Sequence, residues 1–228
     1  MPISANVEKI EERIANACLR CGRNREEITL MAVTKFMGLA DVEAAWNAGL
    51  RCFGESRVQE AAGKFAGFRE SHPDARLHMV GPLQRNKAKA AVSLFDCIQS
   101  IDRESLAIEL AAVAAGRNEP LPVLLEFRTG EESKSGFADL DGLLRVTELV
   151  LGCSSLKAIG LMTIAPFTDD KAAVRSAFRK LAELRRELER RFPDESWPCL
   201  SMGMSEDFEI AVEEGSTLLR IGGAIFGG

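Results

Sequence analysis

The sequence predicts an α/β fold, a single (β/α)8 barrel of the TIM type with one extra helix at its N-terminus. Three observations lead there. Eight short apolar runs alternate with segments of helical periodicity from end to end. At 228 residues the chain has a size at which α/β barrels remain one domain, and 46% apolar residues supply a full core. No low-complexity stretch, Pro/Ser-rich linker or internal repeat divides it. A doubly wound open sheet is the main rival for the same alternation.

The elements follow in order. In the stretch 4–21, Val7, Ile10, Ile14 and Ala17 share one helical face. The run "ITLMAVTK", 28–35, reads as a strand buried on both faces that ends on a lysine. Six further strands fall at 51–55 ("RCFGE"), 77–81 ("LHMVG"), 96–101 ("DCIQSI"), 122–128 ("PVLLEFR"), 156–163 ("LKAIGLMT") and 199–203 ("CLSMG"), and the eighth at 217–222 ("TLLRIG"). The clearest helix between them is 169–191, where Ala173, Phe178, Leu181, Leu184 and Leu188 recur near a 3.6 period. Asp169 or Asp170 caps its start and Pro193 follows its end. A shorter helix starts after Ser205 as its N-cap and stops at Gly215. The polar stretch "TGEESKSGFAD", 129–139, reads as a mobile loop, with Glu131, Glu132 and Lys134 as solvated charges, and Lys87 reads likewise.

A net charge of −5 excludes a nucleic-acid-binding surface, which needs a basic stripe. No run approaches the roughly 18 apolar residues of a membrane helix, and no signal peptide opens the chain, so a cytoplasmic protein with no membrane partner is expected. The six cysteines are scattered through predicted helices and strands rather than arranged as a disulfide framework. "CLRC" at 18–21 has the spacing of half a zinc site, but no second pair follows, so reduced thiols and no metal are expected.

In a closed barrel the first and eighth strands are neighbours and the seventh flanks the eighth. Lys35, Arg220 and Ser201 therefore converge on the C-terminal mouth, where barrel sites lie. Gly222 and Gly223 let backbone N–H groups approach an anion, and Ser201 adds a hydroxyl. Each residue alone has a plainer reading: a solvated lysine, an arginine paired with a carboxylate, an ordinary glycine turn. Their joint placement points to a ligand with an aldehyde for the amine and a phosphate for the loops. Pyridoxal 5′-phosphate (PLP) has both. An arginine facing its ring nitrogen can only donate, which leaves that nitrogen unprotonated and the ring a weak electron sink. His78 reads as a structural residue of strand three.

The stretches "RCGRNREEITLMAVTKF", "FGESRVQE", "HMVGPLQRNKAK", "IQSIDR", "GEESKSGF", "GLMTIAP" and "LSMGMSEDFEIAVEEGSTLLRIGGAIFG" resemble the pyridoxal-phosphate homeostasis proteins, relatives of the alanine racemase barrel. The resemblance runs from about residue 20 to the last residue. It implies PLP held as a Schiff base on Lys35, phosphate contacts at Ser201, Gly222 and Gly223, and Arg220 at the pyridine nitrogen. It also implies a monomer that buffers PLP or delivers it to PLP-dependent apoenzymes, with no established turnover. Several positions depart from the family pattern. Ser56 replaces an asparagine beside the cofactor, and Arg57 replaces the aromatic after it. Gly223 replaces a threonine that would offer phosphate a hydroxyl, and Leu77 and Met79 replace aromatics around His78. These changes imply weaker cofactor binding than in a typical member.

Two enzymatic alternatives compete. A phosphorylated-sugar aldolase also uses a barrel lysine and a phosphate site, but its lysine belongs on a middle strand and Arg220 would be idle. A PLP-dependent amino-acid racemase on such a barrel uses a tyrosine from a second domain. This chain has no tyrosine and ends at strand eight, so the non-enzymatic reading is preferred.

Overall fold

In the computed structural model, which describes residues 2–131 and 135–227, all eight predicted strands form and run parallel. They are β1 (Thr29–Val33), β2 (Cys52–Glu55), β3 (Arg76–Met79), β4 (Cys97–Ile101), β5 (Leu121–Glu126), β6 (Leu156–Met162), β7 (Cys199–Ser201) and β8 (Leu218–Ile221). Each pairs with the next in sequence, and β8 returns to β1 with Met31 opposite Arg220 and Ala32 opposite Ile221. That last pairing closes the barrel and eliminates the open-sheet rival. Glu132 and Lys134 lie outside the described residues.

The helices are α1 (Ile3–Cys21), α2 (Leu39–Asn47), α3 (Val58–Ser71), α4 (Ala88–Leu94), α5 (Glu104–Ala114), α6 (Leu140–Leu151), α7 (Lys171–Arg191), α8 (Phe208–Glu213) and α9 (Gly223–Phe226). The extra helix α1 turns Val7, Ile10, Ile14 and Ala17 inward and packs on α8 and α9, where Asn6 donates to the Ile225 carbonyl at 2.9 Å. Asp170 caps α7 by accepting from the N–H groups of Ala172 and Ala173. The buried stripe of α7 runs through Val174 rather than Ala173, with Phe178, Leu181 and Leu188 as expected.

The expected start of α8 needs correction. Asp207 Oδ1 accepts the Met204 N–H at 2.6 Å and makes a tight turn, so the helix begins at Phe208. Ser205 lies in that turn and is not its N-cap; its hydroxyl oxygen accepts from the Ala224 N–H at 3.2 Å.

Alternation along each strand separates two apolar layers. On β1, Leu30 and Ala32 join the core between barrel and helices, whereas Met31 packs with Cys52 and Leu218 in a smaller interior cluster. Cys97, Leu124 and Met162 form a second interior cluster, with Cys199 beside both. All six cysteines are free thiols. Burial pushes the Cys52 thiol up to about 12 and Cys199 up to about 11, so neither is a thiolate at neutral pH. Among the described residues no cluster of side chains suits a metal ion, and no helix is long and apolar enough to cross a membrane.

Candidate functional site

Several strands end short of their predicted limits because the chain leaves the sheet at the mouth. Thr34 and Lys35 follow β1, and Gly222 follows β8. Between these ends lies a cavity of about 1080 Å³, the C-terminal mouth of the barrel. Lys35, Ser56, Arg220, Gly222 and Gly223 all line it. Ser201 does not.

Lys35 sits exposed in a turn that the Met37 N–H closes on the Thr34 carbonyl at 3.0 Å. The next residue, Phe36, has φ 67, a left-handed conformation uncommon for a residue with a side chain. What holds this turn lies underneath it. Lys64, on α3, donates to the Thr34 carbonyl at 2.6 Å and to Glu55 Oε1 at 2.7 Å. The Thr34 hydroxyl donates to the same carboxylate oxygen at 2.6 Å. Glu55 is fully buried and immediately precedes Ser56, so one ion pair braces the backbone beneath both Lys35 and Ser56.

Arg220 is 5% exposed and, among the described residues, has no carboxylate in hydrogen-bond contact. It donates to Ser201 Oγ at 2.7 Å and to the Thr163 carbonyl at 2.7 Å. Burial lowers its pKa to about 10, and Glu126 and Asp207 farther off offset part of that fall, so the guanidinium remains charged at neutral pH. An arginine has five N–H donors, and those not given to Ser201 and Thr163 are the ones that can meet a ligand in the cavity.

Ser201 corrects the sequence expectation of a phosphate contact. Its side chain is fully buried below the cavity, accepting from Arg220 and donating to Gln99 Oε1 at 2.6 Å. β7 ends there, and the loop that reaches the mouth starts one residue later. The serine of "SMGMS" that lines the cavity is Ser205, whose hydroxyl proton is left to donate. Gly203 makes this loop possible: its φ is 97, and a Cβ there would lie 2.6 Å from Ala211 Cβ. The Gly203 carbonyl accepts the Arg220 N–H at 3.0 Å, tying the loop to β8. At Gly222 a Cβ would come 3.1 Å from the Val33 carbonyl, which leaves this backbone little room for a side chain.

Lys64, Glu55 and Gln99 escape the sequence reading, and Ser205 enters it only as a helix cap. The signal for Gln99 is a polar residue inside the buried run "CIQSI", and for Glu55 a carboxylate closing the strand "CFGE". Lys64 carries no signal, because a lysine on an amphipathic helix reads as solvated.

The chain matches the family model "Alanine racemase, N-terminal domain" over residues 5–228. It is 41% identical to the pyridoxal phosphate homeostasis protein of Vibrio cholerae, covering 99% of this chain and 95% of that one. The structure of PipY from Synechococcus elongatus PCC7942, solved with PLP bound, superposes with a TM-score of 0.83 at 34% identity, covering 95% of this chain and 99% of PipY. Alanine racemase from E. faecalis shares the fold at a TM-score of 0.68 and 18% identity; this chain is fully covered but spans only 58% of that enzyme.

Proposed function

The chain belongs to the pyridoxal phosphate homeostasis proteins within the alanine racemase N-terminal-domain family, and from that premise we propose that it binds PLP in the barrel mouth and serves as a carrier or buffer of the cofactor. The observation that carries this reading is that Lys35, Arg220, Ser205 and Gly222 line one cavity. The residues fit the cofactor. Lys35 offers an exposed amine, and Arg220 a buried cation with donors to spare. The Ser205 hydroxyl and the backbone of Gly222 and Gly223 form a cradle suited to phosphate. When bound, PLP supplies an aldehyde carbon that a lysine amine can hold covalently and reversibly.

Within that assignment the chain's residues divide the work. Lys35 holds the aldehyde end, Arg220 donates toward the ring nitrogen, and Ser56, just past the end of β2, borders the ring. Ser205, Gly222 and Gly223 orient the phosphate, and the Ser201 side chain supports Arg220 instead. A donor-only arginine at the ring nitrogen favours retention of the cofactor over electron-demanding chemistry. The protein acts as a cytoplasmic monomer, and PLP-dependent apoenzymes are the recipients we assign.

Borohydride treatment of PLP-loaded protein followed by peptide mapping tests the site. The pyridoxyl group is expected on Lys35, and Lys35→Ala should abolish it. Label on Lys64, Lys87 or Lys171 with Lys35 unmodified would overturn the assignment. Ser205→Ala should weaken PLP binding more than pyridoxal binding. Equal losses would place the phosphate elsewhere.

A further inference from the structure

Below the cavity floor a chain of polar side chains crosses the barrel interior from β8 to β3. Arg220 donates to Ser201 Oγ at 2.7 Å, and Ser201 donates to Gln99 Oε1 at 2.6 Å. Gln99 Nε2 lies 2.8 Å from His78 Nδ1, and His78 Nε2 lies 4.0 Å from Cys52 Sγ. Gln99 and Ser201 are fully buried in an otherwise apolar interior, a costly place for polar groups that do no more than fill space.

Each proton in this chain has one direction. A guanidinium only donates, so Ser201 accepts from Arg220, and because the Gln99 carbonyl oxygen is the atom turned toward it, Ser201 gives its own proton to that oxygen. That bond fixes the amide, whose N–H must then point at His78. Only a bare Nδ1 can accept it, so His78 carries its proton on Nε2, toward Cys52. Desolvation pushes the His78 pKa down to about 4, in keeping with a neutral ring at ordinary pH.

We propose that Gln99 is a positioning residue for the ligand-binding arginine: anchored on His78, it locks the Ser201 hydroxyl as the acceptor that aims Arg220 into the mouth. The inference rests on the PLP reading for what Arg220 meets, but the relay itself exists without ligand. Geometry gives Gln99 this part. Thr163 offers Arg220 one backbone carbonyl, which sets the position of one guanidinium nitrogen, and a second fixed acceptor is needed to set the plane of the group.

Nitrogen-15 NMR of the ligand-free protein reads the relay. In the wild type His78 should be the Nε2–H tautomer, and the Arg220 side-chain N–H groups should exchange slowly. An Nδ1–H tautomer would reverse the amide and overturn the proposal. Gln99→Leu should speed Arg220 exchange by at least about tenfold, the equivalent of one lost hydrogen bond. It should also shift the ring-nitrogen resonance of nitrogen-15-labelled PLP in the loaded protein. Gln99→Glu retains an oxygen for Ser201 and should restore slow exchange, with His78 moved to the Nδ1–H tautomer from which a carboxylate can accept. A Gln99 that merely packs the core would lower thermal stability in these variants and leave Arg220 exchange unchanged, which overturns the proposal. If Gln99→Leu does not fold, Gln99→Met removes the same amide acceptor from Ser201 with a longer side chain and carries the same expectation. Slow Arg220 exchange in a protein that takes up no PLP would sink the proposed function and leave the relay standing. PLP uptake with Arg220 indifferent to Gln99 would do the reverse.

Discussion

Two cations, one half-buried and one buried, flank the mouth and are held in opposite ways. Lys64, under the β1 turn, meets a full carboxylate in Glu55 and a backbone carbonyl. Among the described residues Arg220, on β8, meets only neutral acceptors, a hydroxyl and a carbonyl. A cation neutralised by a buried carboxylate has spent its field locally, and what it secures is the geometry of the chain around it. A cation held by neutral groups keeps its charge for whatever enters the cavity. The first arrangement serves the backbone that carries Lys35. The second serves the ligand.

The largest expected effect tests the first half of this contrast. Lys64→Met leaves the fully buried Glu55 carboxylate without its partner, and Glu55 Oε2 already has none. The loss should be about 3–5 kcal/mol, a fall in melting temperature on the order of 10 °C. A fall of only a degree or two would show that the pair is dispensable and break the comparison.

The next effect lies at the far end of the arginine's relay. The folded protein holds His78 neutral to about pH 4, against an ordinary value of 6.5, mainly by desolvation. Because the unfolded chain binds that proton first, the associated stability is fully present above about pH 6.5 and is lost as pH falls toward 4. After allowing for the partial exposure of the ring, about 2 kcal/mol should depend on this titration. Denaturant melts across this range should show the slope in wild type, and His78→Gln should flatten it. An unchanged slope in the variant would assign the pH dependence to other groups.

A smaller change is expected at Arg220. Arg220→Met removes a desolvated charge that makes no direct ion pair among the described residues, at the cost of two hydrogen bonds to neutral acceptors. Stability should move by only about 1 kcal/mol, while PLP affinity falls markedly. A stability loss matching that of Lys64→Met would erase the distinction between the two cations.

The smallest residual effect sharpens the first test. Replacing both members of the pair, Glu55→Met with Lys64→Met, should return stability to within about 1 kcal/mol of wild type, since a well-packed apolar pair can substitute for a buried ion pair. Failure to recover would mean that the polar contacts to Thr34 matter more than the charge balance.

Much of the molecule was legible in one dimension. Strands buried on both faces appear as continuous apolar runs, and a parallel sheet needs a helix between each pair, so eight runs separated by helical segments imply a parallel α/β sheet, which the β8–β1 pairing closes into a barrel. The α1 stripe and the Asp170 cap are local in the same sense: one depends on periodicity, the other on bonds to the third turn residue at most. The placement of Lys35, Arg220 and the glycines at one mouth followed from barrel adjacency alone, and the cavity lining agrees with it.

What only the folded chain decided is where strands stop and which way interior polar groups face. Ser201 and Ser205 are both serines of one pentapeptide, yet β7 ends on the first and the second lines the cavity. That difference depends on the β7–β8 register and on a left-handed Gly203 packed against Ala211, neither of which a linear pattern encodes. Lys64 reads as solvated until α3 is laid over β2, and Gln99 reads as an oddity in an apolar strand until Ser201 and His78 arrive from β7 and β3. Periodicity is a property of neighbours in the chain, and so the sequence by itself determined the layers and the face that carries the site. Hydrogen-bond partners of a buried polar group come from distant strands, and so only tertiary structure decided which cation braces the chain and which one is left to meet a ligand.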